Sequence, residues 1–236
     1  MMIPEILSFG EKGFGDELLR GVQFTLFIAV CAYLMGIVIG LFGAAAKLYG
    51  GFVSRGAGGV YTTIVRSVPE VLVIIFLYFI GTRGINSMLG LFGVEPIEVN
   101  GTLAAIMVLG IVQGAYHTEV FRAAIQSVPN GQIEAGRAYG MGGFQIFRRI
   151  TGPAMLPNAI PGLSNLWLIV IKDTALVAVV GNYELLSTTA SAAAFTKRYM
   201  LFYLCTGLIY LTITLVSNYF IEKLERRYRR GQTRLA

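Results

Sequence analysis

Glu134-Ala135-Gly136-Arg137-Ala138-Tyr139-Gly140, followed ten and thirteen residues after that glycine by Ile150 and Pro153, is a charged, glycine-punctuated stretch between two strongly apolar runs. Pro129-Asn130-Gly131 ahead of it is a turn signal, and Asn130 is placed to cap a helix by accepting a backbone N–H. Glu134 then falls early in that helix, where the macrodipole favours an acid. Ala135, Gly136 and Ala138 keep its surface small. Gly140 suits the positive φ that ends a helix, and Gly142-Gly143 lets the chain reverse. Phe144, Phe147 and Ile150 resume an apolar stripe at helical spacing, with Arg148 and Arg149 opposite. These residues describe a short helix standing off a membrane on a tight double turn. That shape suits insertion into a partner's groove; on composition alone it equally suits a loop covering the base of a bundle.

The membrane is implied by everything around the loop. Hydrophobic residues make up 55% of the chain and charged residues 14%, with a mean hydropathy of +0.67. A soluble domain carries roughly a quarter charged residues. The apolar residues are clustered in runs, without a period of 2 or 3.6, as in helices apolar all round. Five spans are predicted, over residues 22–46, 68–85, 101–120, 154–180 and 199–220, all in one domain, with the loop at 123–153 and a basic C-terminal tail at 222–236. The fold class is all-α integral membrane. The segment before the first span holds Glu5, Glu11, Asp16 and Glu17 against Lys12 and Arg20, so it is acidic where a signal peptide is basic, and the first run is expected to stay as a span.

Lysine and arginine set the orientation. With the N-terminus outside, thirteen of the 19 basic residues fall on inner segments and six on outer ones, so N-out, C-in is expected. This places the Glu134 loop in the cytoplasm. Six inner cations, Lys223, Arg226, Arg227, Arg229, Arg230 and Arg234, sit directly behind the last apolar run. Such a cluster fixes topology and meets anionic lipid. No recognition module accompanies the net charge of +6, so nucleic acid is excluded as a partner. Cys31 and Cys205 lie inside apolar runs and form no metal or redox motif.

In the first span Ala32, Gly36, Gly40 and Ala44 recur at every fourth residue, putting small side chains on one face where another backbone can approach. The ladder predicts close packing without saying whether the neighbour belongs to the same chain. Between Gly50 and Arg66 the chain is glycine-rich, then amphipathic, with Val60, Ile64 and Val65 among polar residues. An interfacial helix and a plain loop both fit.

The loop resembles the Glu-Ala-Ala loop of ABC importer permease subunits of the binding-protein-dependent type. Glu134, Ala135, Gly140, Ile150 and Pro153 agree with that pattern; Gly136 stands where alanine is usual and Gly152 where leucine is usual. Arg66-Ser67-Val68-Pro69, Tyr116 to Arg122, Ser127 to Gln132, and Lys172-Asp173-Thr174-Ala175-Leu176 are similar to the polar amino acid branch, closest to histidine, arginine and octopine permeases. The resemblance implies a heterodimer with a second permease subunit, two copies of an ABC ATPase docked on Glu134, Ala135, Gly136, Gly140, Ile150 and Pro153, and an extracytoplasmic solute-binding protein. It implies a bacterial inner membrane location and no cofactor in this chain, ATP and Mg being held by the ATPase.

Ionisable and polar groups inside spans are default candidates for a solute path. They are Glu70, Gln113, His117, Glu119, Asn165 and Trp167, the last two following Pro161, which loosens the fourth span. Two acids suit a guanidinium or ammonium group. The bland alternative pairs Glu119 with Arg122 or Arg66, pairs Glu70 with Arg66, and makes His117 a packing residue. Lys172 and Asp173 read as local ion pairs near the outer interface. The sequence contains no Gly-x-x-x-x-Gly-Lys-Ser/Thr run and no nucleophile elbow, so the chain is expected to be no enzyme. Two other functions compete with an importer permease: an ion-coupled transporter or channel subunit using Glu70 and Glu119, and a membrane scaffold.

Overall fold

The structure, a computed structural model, describes residues 7–10, 13–95 and 100–228. Glu5, Glu11, Lys12, Arg229, Arg230 and Arg234 lie outside them. Among the described residues the secondary structure is helical throughout. Five helices are long and apolar enough to cross a membrane: α1 (Gly15–Tyr49), α3 (Glu70–Leu91), α4 (Gly101–Gln126), the continuous stretch Gly143–Val180, and α9 (Tyr199–Tyr228).

Each begins or ends beyond its apolar run for a local reason. Helix α1 starts with Asp16 and Glu17 in its first turn and ends with Lys47 in its last, complementing the macrodipole at both ends. Asn100 caps α4, its side chain accepting from the N–H groups of Thr102 at 2.9 Å and Leu103 at 3.2 Å. Helix α9 runs on through Glu222, Lys223, Arg226 and Arg227, so the described part of the basic tail is helix. The fourth crossing comprises α6 (Gly143–Ile146), a π turn (Phe147–Thr151), α7 (Gly152–Asp173) and a 3₁₀ turn (Thr174–Val180). Pro157 and Pro161 sit inside α7, where neighbouring helices re-satisfy the backbone in a membrane.

Helix α4 is the axis of the bundle. Its small residues meet the ladder of α1, so the ladder's neighbour is in the same chain. Ala32, Gly36, Gly40 and Ala44 are all buried. A Cβ on Gly40 would lie 2.4 Å from His117 Cβ and 2.9 Å from the His117 carbonyl carbon; one on Gly36 would lie 2.9 Å from Gln113 Cβ. Ile28, Leu109, Val112, Val170 and Ile171 fill the core around this contact. A second cluster, Ala44, Phe121, Ala124, Met155 and Ala159, seals the end nearest the Glu134 loop.

Residues 52–67 form helix α2 (Phe52–Ser67), a helix and not a plain loop. Its buried side is Thr62 and Val65, while Phe52, Val53, Val60 and Ile64 are exposed. The sequence reading missed α8 (Leu185–Thr196). Glu184 caps it, accepting from Leu186 N at 2.8 Å and Ser187 N at 2.7 Å, while its own N–H donates to Ser187 Oγ at 2.8 Å. Leu185, Ala192 and Ala193 of α8 pack with Leu18 and Phe202 at the opposite end of the bundle from the loop.

Candidate functional site: a buried polar cluster and an exposed docking helix

Helix α5 (Asn130–Ala138) carries the sequence's charged motif. Its N-cap is Pro129, whose extended backbone lets its carbonyl accept from Gln132 N at 3.0 Å. Asn130 is the first helical residue and caps nothing with its side chain, which corrects the expectation from Pro-Asn-Gly: the proline already supplies the turn. Glu134 and Ala135 are exposed. Gly140 adopts a φ of 72°, and Met141 N donates to Gly136 O at 3.1 Å to close the helix.

Both departures from the family pattern are sites of close approach. Gly136 is buried, and a Cβ there would lie 2.6 Å from Ile150 Cδ1 and 3.3 Å from Ile146 Cγ1. Helix α5 therefore rests on the chain's return through Ile150. Gly152 N–H closes the π turn on Phe147 O, and a Cβ at Gly152 would lie 2.8 Å from that same oxygen. The π turn also revises the expected stripe. Ile146 and Thr151 turn inward, whereas Phe144 is 76% exposed and Phe147 38%. Pro153 is exposed in the first turn of α7, where its missing N–H costs nothing.

Inside the bundle, polar side chains from three helices converge. Gln113, fully buried on α4, donates through Nε2 to Asp173 Oδ2 at 3.1 Å. Asp173, the last residue of α7, is itself only 7% exposed. Glu70, the first residue of α3, lies against both the Asp173 carboxyl and the Tyr116 phenol. The Arg66 guanidinium stands 5.8 Å from the Tyr116 ring centroid, a cation–π contact. Among the described residues Arg66 forms no ion pair, so neither Glu70 nor Glu119 takes it as a salt-bridge partner. Asp173 makes no ion pair with Lys172 there either. It closes a buried cluster, and its place as an acid at the end of an apolar run was the signal that could have found it.

The other sequence candidates are placed as follows. His117 is buried, its Nδ1 2.8 Å from Gln113 O, and its ring stands edge-on to Tyr33 with centroids 4.9 Å apart. The Tyr33 ring in turn meets Trp167 at 5.4 Å, and Trp167 Nε1 donates to Ser217 Oγ at 3.2 Å. Gln113 Oε1 and His117 Nε2, one turn apart, are both buried without a protein partner. Asn165 is exposed on α7, facing away from the chain's own core. Glu119 belongs to a separate cluster, accepting from Lys47 Nζ at 2.5 Å and Arg122 Nε at 2.8 Å. Lys47, not Arg66, is the partner that sequence spacing missed. Structure brings Glu70 and Gln113 together with Asp173 and sets His117 beside them, leaving Glu119 and Asn165 apart.

Comparison with known proteins accounts for this arrangement. Residues 36–230 match the family described as the binding-protein-dependent transport system inner membrane component. The chain is 42% identical over 232 residues to the nopaline transport system permease protein NocQ of Agrobacterium fabrum, covering 96% of this chain and 97% of that one. It is 39% identical to the histidine/lysine/arginine/ornithine transport system permease protein HisQ of Escherichia coli, covering 94% and 97%. Among solved structures, an amino acid ABC transporter crystallised with histidines superposes with a TM-score of 0.76 at 27% identity, over 91% of this chain and 95% of that chain. The methionine ABC transporter MetNI shares the fold, with a TM-score of 0.74 at 20% identity over 93% and 99%. This multi-pass chain belongs to the inner membrane permease components of binding-protein-dependent transport systems.

Proposed function

We propose that this chain is one permease half of an ATP-driven importer for polar amino acids or opines that carry a cationic group. The observation that carries the solute class is the contact between Glu70 and Asp173, two carboxyls on different helices that meet beside Gln113. Two carboxyls in contact inside a bundle either share a proton or are both ionised with a cation beside them, and a cationic solute favours the second state. A guanidinium or ammonium group supplies that charge, and the unpartnered Gln113 Oε1 adds an acceptor for its N–H groups. The names of the nopaline and histidine/lysine/arginine/ornithine relatives support the same class.

The engine is external. Glu134, Ala135 and the exposed Tyr139 form a projecting surface whose base is Gly136 on Ile150. One of the importer's two ATPase copies, holding ATP and Mg, docks there; this chain holds no cofactor. The basic-residue count supports an N-out, C-in orientation, with the loop in the cytoplasm and α8 on the side where a solute-binding protein delivers cargo. Helices α3 and α9 bury little of themselves within one chain, and Phe76, Phe79, Ile80, Leu208, Leu211 and Leu215 are exposed on them. A second, similar permease subunit covers part of this surface, and closure of the ATPases rocks the halves between inward- and outward-facing states.

The test reconstitutes the importer in vesicles. Glu134→Lys is expected to detach the ATPase or uncouple hydrolysis from uptake, and intact assembly with coupled hydrolysis refutes the docking role. Asp173→Asn with Glu70→Gln is expected to lower uptake of cationic solutes at least tenfold while sparing assembly. Unchanged uptake of every cationic solute removes the site, and uptake that survives ATP depletion removes the importer.

A further inference from the structure

Helix α2 is not used by either the solute cluster or the docking helix. Its exposed apolar residues, Phe52, Val53, Val60 and Ile64, are 95%, 80%, 60% and 57% exposed. Along the edge of this face runs a polar cavity of about 410 Å³, lined by Lys47 of α1, Thr62, Thr63, Arg66 and Ser67 of α2, and Glu119 of α4. The lining is hydroxyl and cation throughout, except for Glu119, whose two oxygens are already taken by Lys47 and Arg122. Lys47 Nζ also donates to Thr62 Oγ1 at 2.8 Å, which holds the ammonium over the cavity. Arg66 is steadied from one side by the Tyr116 ring and, among the described residues, forms no ion pair, although Glu119 shares the cavity lining and Glu70 lies against the Tyr116 phenol. Within the lining, two cations, Lys47 and Arg66, meet one acid, Glu119, which Lys47 and the neighbouring Arg122 already neutralise, so the lining is net positive. Tyr61, half-buried on the same helix, donates its hydroxyl to Ile111 O, pinning α2 to α4. Burial pushes that phenol up to about 12, so the donor persists at any physiological pH.

We propose that this cavity binds the phosphate of a phospholipid from the leaflet on the α5 side. An oxyanion is the shared chemistry, and the neighbouring face selects the lipid as its source. An amphipathic helix with large apolar residues on one face and cations on the other lies at the acyl–headgroup boundary. Thr63 and Ser67, both exposed, stand between that face and the cations, where a headgroup phosphate enters as its acyl chains lie along Val60 and Ile64. Arg66 and Lys47 supply charge-assisted N–H donors and Thr63 and Ser67 supply O–H donors. A free amino acid carboxylate has the same polar needs and no use for the apolar face.

Native mass spectrometry of the assembled importer, supplied with phosphatidylglycerol or with diacylglycerol of the same chains, reads the phosphate's contribution directly. Phosphatidylglycerol is expected to be retained with about tenfold higher apparent affinity than diacylglycerol. Arg66→Gln is expected to remove that preference, and Thr63→Val, which keeps the shape and charge of the site, to reduce it severalfold. Equal retention of the two lipids overturns the proposal, as does an unchanged preference in Arg66→Gln. Displacement of phosphatidylglycerol by millimolar arginine also overturns it, assigning the cavity to a free carboxylate instead.

Discussion

Gly40 is where the α1–α4 contact brings a glycine closest to the backbone of the facing helix. Replacing it with alanine puts a Cβ 2.4 Å from His117 Cβ, 2.9 Å from the His117 carbonyl carbon and 3.0 Å from Thr118 N. Two of these three atoms belong to the backbone of α4, so no rotamer change relieves the overlap; α1 and α4 must separate. Overpacking of a tight core costs about 1–3 kcal/mol, and a clash with backbone belongs at the upper end. For a chain of this size each kcal/mol moves the unfolding midpoint by roughly 2–4 °C, so Gly40→Ala is expected to lower it by about 6–12 °C. Gly36→Ala meets Gln113 Cβ at 2.9 Å, His117 Nδ1 at 3.1 Å and the Gln113 carbonyl carbon at 3.3 Å, so its nearest backbone contact is looser than that at Gly40 and the imidazole can turn aside. Its expected loss is about half as large. Gly59 on α2 has nothing within 4 Å of an added Cβ. Alanine there reduces the freedom of the unfolded chain and is expected to raise stability by about 0.4–1 kcal/mol.

The assay is thermal unfolding of the purified permease in detergent, followed by tryptophan emission. Trp167 is the only tryptophan, and through Tyr33 it reports on the α1–α4 contact itself. The order Gly40→Ala, then Gly36→Ala, then wild type, then Gly59→Ala follows from the distances alone. A Gly40→Ala protein as stable as wild type refutes the close approach of α1 and α4, and a reversed order of Gly40 and Gly36 refutes the weight given to backbone over side-chain contact.

Three further outcomes are expected. Glu119→Gln leaves Lys47 and Arg122 without their shared acceptor and is expected to cost about 2 kcal/mol, since the group is largely but not fully buried; Lys47→Gln, which leaves Arg122 paired, costs less, and denaturant titration of both variants checks the asymmetry. Gly152→Leu forces the β-carbon against Phe147 O, so the π turn relaxes to α and rotates Ile150 away from Gly136. Thiol labelling of Ile150→Cys is then expected to quicken severalfold, and an unchanged rate contradicts the contact. Burial raises the Glu184 carboxyl above its ordinary range, so the native state holds its proton more tightly than the unfolded chain. Stability from this group is present at low pH and is lost as pH rises from the unfolded value of about 4.3 through the raised native one. The unfolding midpoint of wild type relative to Glu184→Gln should fall over that rise, and a flat or opposite trend shows that the capping N–H groups outweigh burial.

The limits of the sequence reading have physical causes. Spans were legible because twenty apolar residues in a row have few other uses, and the ladder because glycine at every fourth position marks one helix face. Helix α8 was not, because its twelve residues are mostly small and too few to cross a membrane, and its burial against α1 comes from Leu18 and Thr25, far away in sequence. Glu119 illustrates the same limit at the level of one residue. Arg122 lies one turn away and could be anticipated, whereas Lys47 is 72 residues distant and enters only through the packing of α1 on α4.

Asp173 shows why the buried polar cluster was only half legible. Read along the chain, an acid beside Lys172 at the end of an apolar run looks like an interfacial ion pair. Helical geometry turns the neighbours about 100° apart. Lys172 is consequently exposed while Asp173 points inward to Gln113. The same rotation separates Asn165 from the core, one heptad before Lys172 on the outer face of α7. A polar residue exposed in mid-span is costly against lipid, so Asn165 belongs against protein or water supplied by a second subunit. The inward acid and the outward amide thus divide α7 into one face that completes this chain's cluster and another that stays exposed, the face on which the proposed second subunit would fit.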